Sequence, residues 1–308
     1  MKVGTLLVLA LVASAPALGS PGDANPRIAE IVSGISASRI EATIRKLASF
    51  GTRSSLSDTV SETRGIGAAR RWIKSQLDAC ARDSGGRLEV AFDDHLVAGG
   101  SRVPAPTHFV NVVATLRGEQ PESRDRIYVM SGHYDSMPSS PTDPNQDAPG
   151  ANDDASGAAA SMELACVMSK YRFDATLVFM TVAGEEQGLY GSQGWANDAK
   201  AKGLDIAGMF TDDIVGNTRA PDGKIERHRV RLFASGILPG KTLSDDVVAA
   251  LGTAGENDLP TRQLARFVKA AAERHVPGMK VDIVWRRDRY LRGGDHFSFL
   301  DEGYPAVR

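Results

Sequence analysis

Seven consecutive residues in the middle of the chain, Thr176-Leu177-Val178-Phe179-Met180-Thr181-Val182, carry no charge and show no polar alternation. A strand with one wet face alternates apolar and polar residues. A run without alternation reads as a strand buried on both faces. Such a strand must be covered on each side by other elements, which confines the chain to a layered α/β architecture.

The flanking patterns agree. Helical spacing appears over about 38–50, where Ile40, Ile44 and Leu47 share a face. It appears again over 64–80, with Ile66, Ala69, Trp72, Ile73 and Leu77, and over 262–274. A small-residue helix is expected over 151–168 and another helix over 187–201. Short β-type runs occupy 88–92, 109–116, 127–130, 207–210, 230–234 and 281–285. Strands alternate with helices, so a single α/β sandwich around a mostly parallel sheet is expected. The stretch 218–263 is long and polar and reads as a surface excursion. The closing Gly303-Tyr304-Pro305-Ala306-Val307-Arg308 reads as the start of a strand, so a C-terminal truncation of the domain is an expectation.

Five polar clusters fall where a strand ends or a helix begins. They are Ser131-Gly132-His133-Tyr134-Asp135-Ser136, Gly150-Ala151-Asn152-Asp153-Asp154-Ala155-Ser156-Gly157, Ala183-Gly184-Glu185-Glu186-Gln187-Gly188, Thr211-Asp212-Asp213-Ile214-Val215-Gly216-Asn217, and Arg292-Gly293-Gly294-Asp295-His296-Phe297. Ligand sites in open α/β sheets form beyond the carboxyl ends of the strands. Each cluster alone has a structural reading, for instance Asn152-Asp153-Asp154 as a helix cap. Together they offer histidine and carboxylate without thiolate, the donor set of catalytic zinc. Two Zn²⁺ would be balanced by Asp153, Glu186, Asp213 and one bridging hydroxide. That near-neutrality suits a partly dry pocket, and it leaves Glu185 free to act on water.

At these residues the sequence resembles the co-catalytic zinc peptidase family of bacterial secreted leucyl aminopeptidases, aminopeptidases S and Y, and glutamate carboxypeptidase II. The similarity runs from Phe50-Gly51-Thr52-Arg53 through Asn111-Val112-Val113-Ala114 to the last residue. The resemblance implies a three-layer α/β/α sandwich around a mixed, mostly parallel sheet, of zinc exopeptidase type. It implies two zinc ions. His133 and Asp213 would hold one, Glu186 and His296 the other, and Asp153 would bridge them. Asp135 would orient His133, and Glu185 would be the general base. An aminopeptidase acting on a peptide or small aminoacyl substrate is the expected activity. A glutaminyl cyclase-like acyl transferase and a carboxypeptidase of the same fold are the alternatives. Ser156 and Ser192 do not form the Gly-x-Ser-x-Gly of a serine hydrolase, and no His-Glu-x-x-His is present.

Lys2, the apolar run Val3–Ala15 and the small residues that follow form a signal-peptide pattern over 1–19. The run is too short to span a bilayer. Residues 20–35 are expected as a mature N-terminal arm or short pro-region, and 36–308 as the peptidase domain. Export to the outside or the periplasm follows, with no membrane attachment after cleavage. The net charge of −2 and 6% aromatic content give no basis for nucleic-acid binding. The two cysteines, Cys80 and Cys166, either pair or lie buried as small apolar groups.

Overall fold

The computed structural model describes residues 25–236 and 244–308. The signal pattern over 1–19 lies outside the described residues.

The apolar run forms β4 (Thr176–Val182), and every residue of it is buried. It sits inside a six-stranded sheet of order β1-β2-β4-β3-β5-β8. The other strands are β1 (Leu88–Val97), β2 (Thr107–Leu116), β3 (Arg126–His133), β5 (Asp205–Thr211) and β8 (Ala306–Val307). β2 runs antiparallel to both its neighbours. The pairs β3/β4, β3/β5 and β5/β8 are parallel.

Side chains of β4 divide between two cores. Leu177 and Phe179 join Ile66, Ile73 and Leu77 of α3 (Gly65–Asp83) and Met162 of α4 (Ala155–Met168). Val178, Met180 and Val182 join Ala196 of α6 (Tyr190–Ala201) and Phe299 of α9 (His296–Asp301). The alternation is that of a pleated strand with helices on both faces, so the three-layer sandwich is what the chain adopts. Cys80 of α3 and Cys166 of α4 form a disulfide within one helical layer.

Two helices precede this core, α1 (Pro26–Gly34) and α2 (Ala37–Ala48). The expected N-terminal arm is therefore helical from Pro26. The polar stretch 218–263 holds β6 (Arg229–Phe233), α7 (Asp245–Leu251), a 3-10 turn at Gly255–Asp258 and the start of α8 (Pro260–His275). β6 pairs in parallel with β7 (Lys280–Val284). This ribbon joins the main sheet at β8, where Phe233 and Arg308 exchange backbone hydrogen bonds of 2.7 and 3.1 Å. No described helix is long and apolar enough to cross a membrane.

Candidate active site

The carboxyl ends of the parallel strands converge at one edge. β3 ends on His133, β5 is followed by Asp212-Asp213, and β8 is followed by Arg308. β4 leads through Ala183-Gly184 into a one-turn helix, α5 (Glu185–Gly188). Gly184 has φ +78°, and a Cβ there would lie 2.3 Å from the ring of Phe109. Only glycine permits this turn, which throws Glu185 and Glu186 back over the strand ends.

Asp153 and Asp154 separate cleanly. Asp154 is fully buried and accepts from the backbone N–H groups of His133 (3.1 Å), Gly157 (2.8 Å) and Ile214 (3.2 Å). It caps α4 and knots three segments together. Asp153 turns to the site, with Oδ1 3.1 Å from His133 Nε2. His133, Asp153 and Asp213 bring one ligand atom each within 4.8 Å of one another. This is the trio expected at one metal, together with its bridging acid. Asp213 rather than Asp212 belongs to it.

The ring of His133 is held from behind. Its Nδ1 lies 3.2 Å from the backbone carbonyl of Asp135 and 3.4 Å from Oδ1 of that residue. Asp135 is fully buried and also accepts from the N–H groups of Glu185 (3.4 Å) and Glu186 (3.2 Å) and from Ser55 Oγ (3.3 Å). One carboxylate therefore places both a histidine and the turn that carries two glutamates.

The other two expected ligands, Glu186 and His296, stand outside the tight trio. His296 is buried at the start of α9, and its Nε2 donates to the carbonyl of Arg287 (2.7 Å). Its ligand nitrogen would be Nδ1. Asp295 lies at the cap position but makes no capping bond. Three atoms bear on whether metal fits: Asp213 Oδ1 and His296 Nδ1 are buried without a hydrogen-bond partner, and His133 Nε2 meets only Asp153, itself an expected ligand. Buried polar atoms seldom remain unpaired. Two orphaned ligand atoms, and a histidine nitrogen facing only another expected ligand, are what a metal centre would satisfy.

The electrostatics point the same way. Burial, with Asp295, Asp213 and Asp135 nearby, pushes Glu185 up to about 8. Burial and the surrounding carboxylates push Glu186 up to about 7. Burial would lower His133, but its contacts with Asp135 and Asp153 raise it well above the ordinary range. Crowded acids of this kind are a mark of a functional site.

Ser156 and Ser192 are buried and used structurally. Ser156 Oγ donates to the carbonyl of Asn152 (2.7 Å), and Ser192 Oγ bonds Ser298 Oγ (2.9 Å). Neither is a nucleophile poised beside a histidine.

Residues 111–236 match the model of Peptidase family M28. Over those residues the chain is similar to an M28 peptidase domain. It is 49% identical over 283 residues to a probable zinc metalloprotease of Leptosphaeria maculans, an alignment that covers 91% of this chain and 64% of that protein. The chain thus spans less than two thirds of that relative. Among solved structures, the fold is similar to the Legionella pneumophila LapA aminopeptidase, with a TM-score of 0.57 and 20% identity over 92% of this chain and 63% of the other. It is also similar to Porphyromonas gingivalis glutaminyl cyclase, with a TM-score of 0.54 and 16% identity over 89% of this chain and 82% of the other.

Three site residues escaped the reading of motifs. Arg308 Nη2 lies 2.6 Å from Asp213 Oδ2, with both side chains buried. Arg289 shares a cavity of about 460 Å³ with Asp153, Glu185 and Asp213. Arg53 is fully buried and donates to the carbonyls of Tyr134 (2.7 Å), Pro149 (2.7 Å) and Gly150 (2.9 Å). Only Arg53 had a signal, its place in the Phe50-Gly51-Thr52-Arg53 segment.

Proposed function

We propose that this chain is a two-zinc exopeptidase of the M28 family, acting as an aminopeptidase on peptides or small aminoacyl substrates. The observation that carries the reading is the meeting of His133, Asp153 and Asp213, with orphaned ligand atoms, beside the protonatable Glu185.

His133, Asp153 and Asp213 would hold one zinc, and Glu186 and His296 the other, with Asp153 shared. When bound, such ions would acidify a water and polarise the scissile carbonyl. Glu185 would accept a proton from the attacking water at its carboxylate. It would later return the proton to the leaving amine, the two roles of a general acid–base residue. Asp135 keeps Glu185 in register through the N–H bonds it accepts at the start of α5. The disulfide between Cys80 and Cys166, together with the N-terminal signal pattern, supports export to an oxidising compartment.

The test is a panel of free and N-blocked aminoacyl amides and short peptides, with zinc and with chelator. Zinc-dependent release of the first residue from free, unblocked substrates is expected. A preference for blocked substrates cleaved at the carboxyl end would make the enzyme a carboxypeptidase. One zinc per chain, with cyclisation of an N-terminal glutamine, would make it a glutaminyl cyclase.

A further inference from the structure

The cavity over the candidate metal centre has a cationic wall. Four arginines line it: Arg102, Arg289, Arg292 and Arg308. Two are engaged with the protein. Arg102 donates to the carbonyl of Glu186 (2.7 Å), and Arg308 pairs with Asp213. Arg289 acts on Asp153 and Asp213 through space without a close ion pair among the described residues, and Arg292 is exposed. Arg289 Nε is buried and has no hydrogen-bond partner.

Arg289 and Arg292 face each other across a two-residue turn, closed by backbone bonds of 2.9 and 3.2 Å. The turn residues Tyr290 and Leu291 have φ of 49° and 74°. Residues opposed in this way project from the same face, and like charges so placed repel. Asp288, the acid next to Arg289 in sequence, is held by Arg286 through two bonds of 2.8 and 2.7 Å. The ligand acids Asp153, Glu186 and Asp213 would be neutralised by bound zinc. Two guanidiniums then remain in surplus, side by side, above the reacting centre. Paired guanidiniums suit a carboxylate, which can take two parallel hydrogen bonds.

We propose that Arg289 and Arg292 bind a carboxylate of the substrate, either the C-terminal carboxylate of a short peptide or an acidic side chain next to the scissile bond. The proposal deepens the peptidase reading and rests on it for the identity of the substrate.

The experiment uses the zinc-loaded full chain. Alanyl-alanine, alanyl-alanine amide and alanyl-glutamate amide are compared as substrates of the native protein, Arg289→Met/Arg292→Met and Arg289→Lys/Arg292→Lys. The native protein is expected to favour one carboxylate-bearing substrate over the neutral amide by about tenfold or more in kcat/KM, chiefly through KM. Which of the two is favoured identifies the source of the carboxylate. The double methionine variant should bring that ratio toward one, and the double lysine variant should restore part of it. Equal rates for all three substrates in the native protein overturn the proposal, as does a methionine variant that keeps the ratio. Calorimetric binding of glutarate gives a readout without turnover, with zinc content measured alongside. Affinity should fall at least tenfold in the methionine variant at unchanged zinc content, and undiminished affinity overturns the proposal. Glutarate binding that needs the arginines, in a protein that hydrolyses nothing, would leave the carboxylate site standing and sink the peptidase reading.

Discussion

Replacing Asp135 by asparagine tests the arrangement behind the site. The carboxylate of Asp135 is fully buried and meets four donors. Oδ1 faces His133 Nδ1 and the N–H of Glu185, both at 3.4 Å. Oδ2 faces the N–H of Glu186 at 3.2 Å and Ser55 Oγ at 3.3 Å. An amide nitrogen cannot accept. Placed at Oδ1, it would confront two N–H donors. Placed at Oδ2, it would confront one, because the hydroxyl of Ser55 can turn and accept. The second orientation is favoured and orphans a single buried N–H, that of Glu186, at about 1–3 kcal/mol. His133 keeps its backbone acceptor, the carbonyl of Asp135. The ring therefore stays oriented, and the damage falls on the turn that carries Glu185 and Glu186. Zinc affinity should fall by about tenfold and kcat/KM by about 10–100-fold. Asp135→Ala, which loses all four contacts, should be worse on both measures. Zinc affinity is read by competition with a chromophoric chelator, kcat/KM with an aminoacyl amide, and folding by circular dichroism. A folded Asp135→Asn protein with zinc affinity and kcat/KM within twofold of native would refute the reasoning.

Other expectations follow from the same geometry. Glu185→Gln should keep its zinc yet lose about 10²–10⁴ in kcat; metal loss, seen by elemental analysis, would count against its role as base. Asp153→Ala should lose at least one zinc per chain, and full retention would remove it as the bridge. In the metal-free protein, Glu185 at about 8 and Glu186 at about 7 lie above their value of 4.5 in the unfolded chain. The native state binds protons at these two groups more tightly, so their contribution to stability is fully present below about pH 4.5 and is lost as pH rises through 7 to 8, by on the order of a few kcal/mol, while buried His296, lowered to about 3, acts the other way only below about pH 6.5. Denaturant midpoints in chelator should fall across that window, and zinc should stabilise most at its upper end; a midpoint that rises with pH would contradict this. Cys80→Ser/Cys166→Ser removes a cross-link spanning 86 residues, which chain entropy values at about 4–5 kcal/mol; a loss below about 1 kcal/mol in guanidinium unfolding would show that the bridge does little.

Much of the fold was legible because burial leaves a periodic trace. β4 announced itself by lacking alternation, and all seven of its residues are buried. β1 was read as 88–92 but extends to Val97. Its far half carries Asp93, Asp94 and His95 at the edge of the sheet, where polar side chains reach water and the apolar signal fades. α7 was not read at all, and none of its residues is buried. A helix without a buried face gives no stripe to detect. Motifs named His296 as a ligand. They could not say that Nε2 would be tied to the Arg287 carbonyl, since that choice depends on how 285–295 folds.

The scaffold beneath the site was the least legible part, and the reason is physical. Motifs record residues that face the reaction, because their chemistry demands particular types. Asp154, Asp135 and Arg53 do their work through backbone groups of distant segments, and a backbone group leaves no mark on sequence. Asp154 gathers N–H groups from the end of β3, the loop after β5 and the first turn of α4. Asp135 gathers those of Glu185 and Glu186 after β4. Arg53 takes carbonyls from both the His133–Asp135 loop and the loop before Asp153. Burial lowers its pKa to about 10, and Asp135 and Asp154 act against that fall. Two buried acids and one buried arginine thus fix four of the five expected ligand positions relative to one another. Buried charges are costly unless each is paired or hydrogen-bonded, and here the three offset one another through the same loops that the metal ligands need held still. The doublet Asp153-Asp154 hides this division of labour: the first acid meets the site and the second builds its floor.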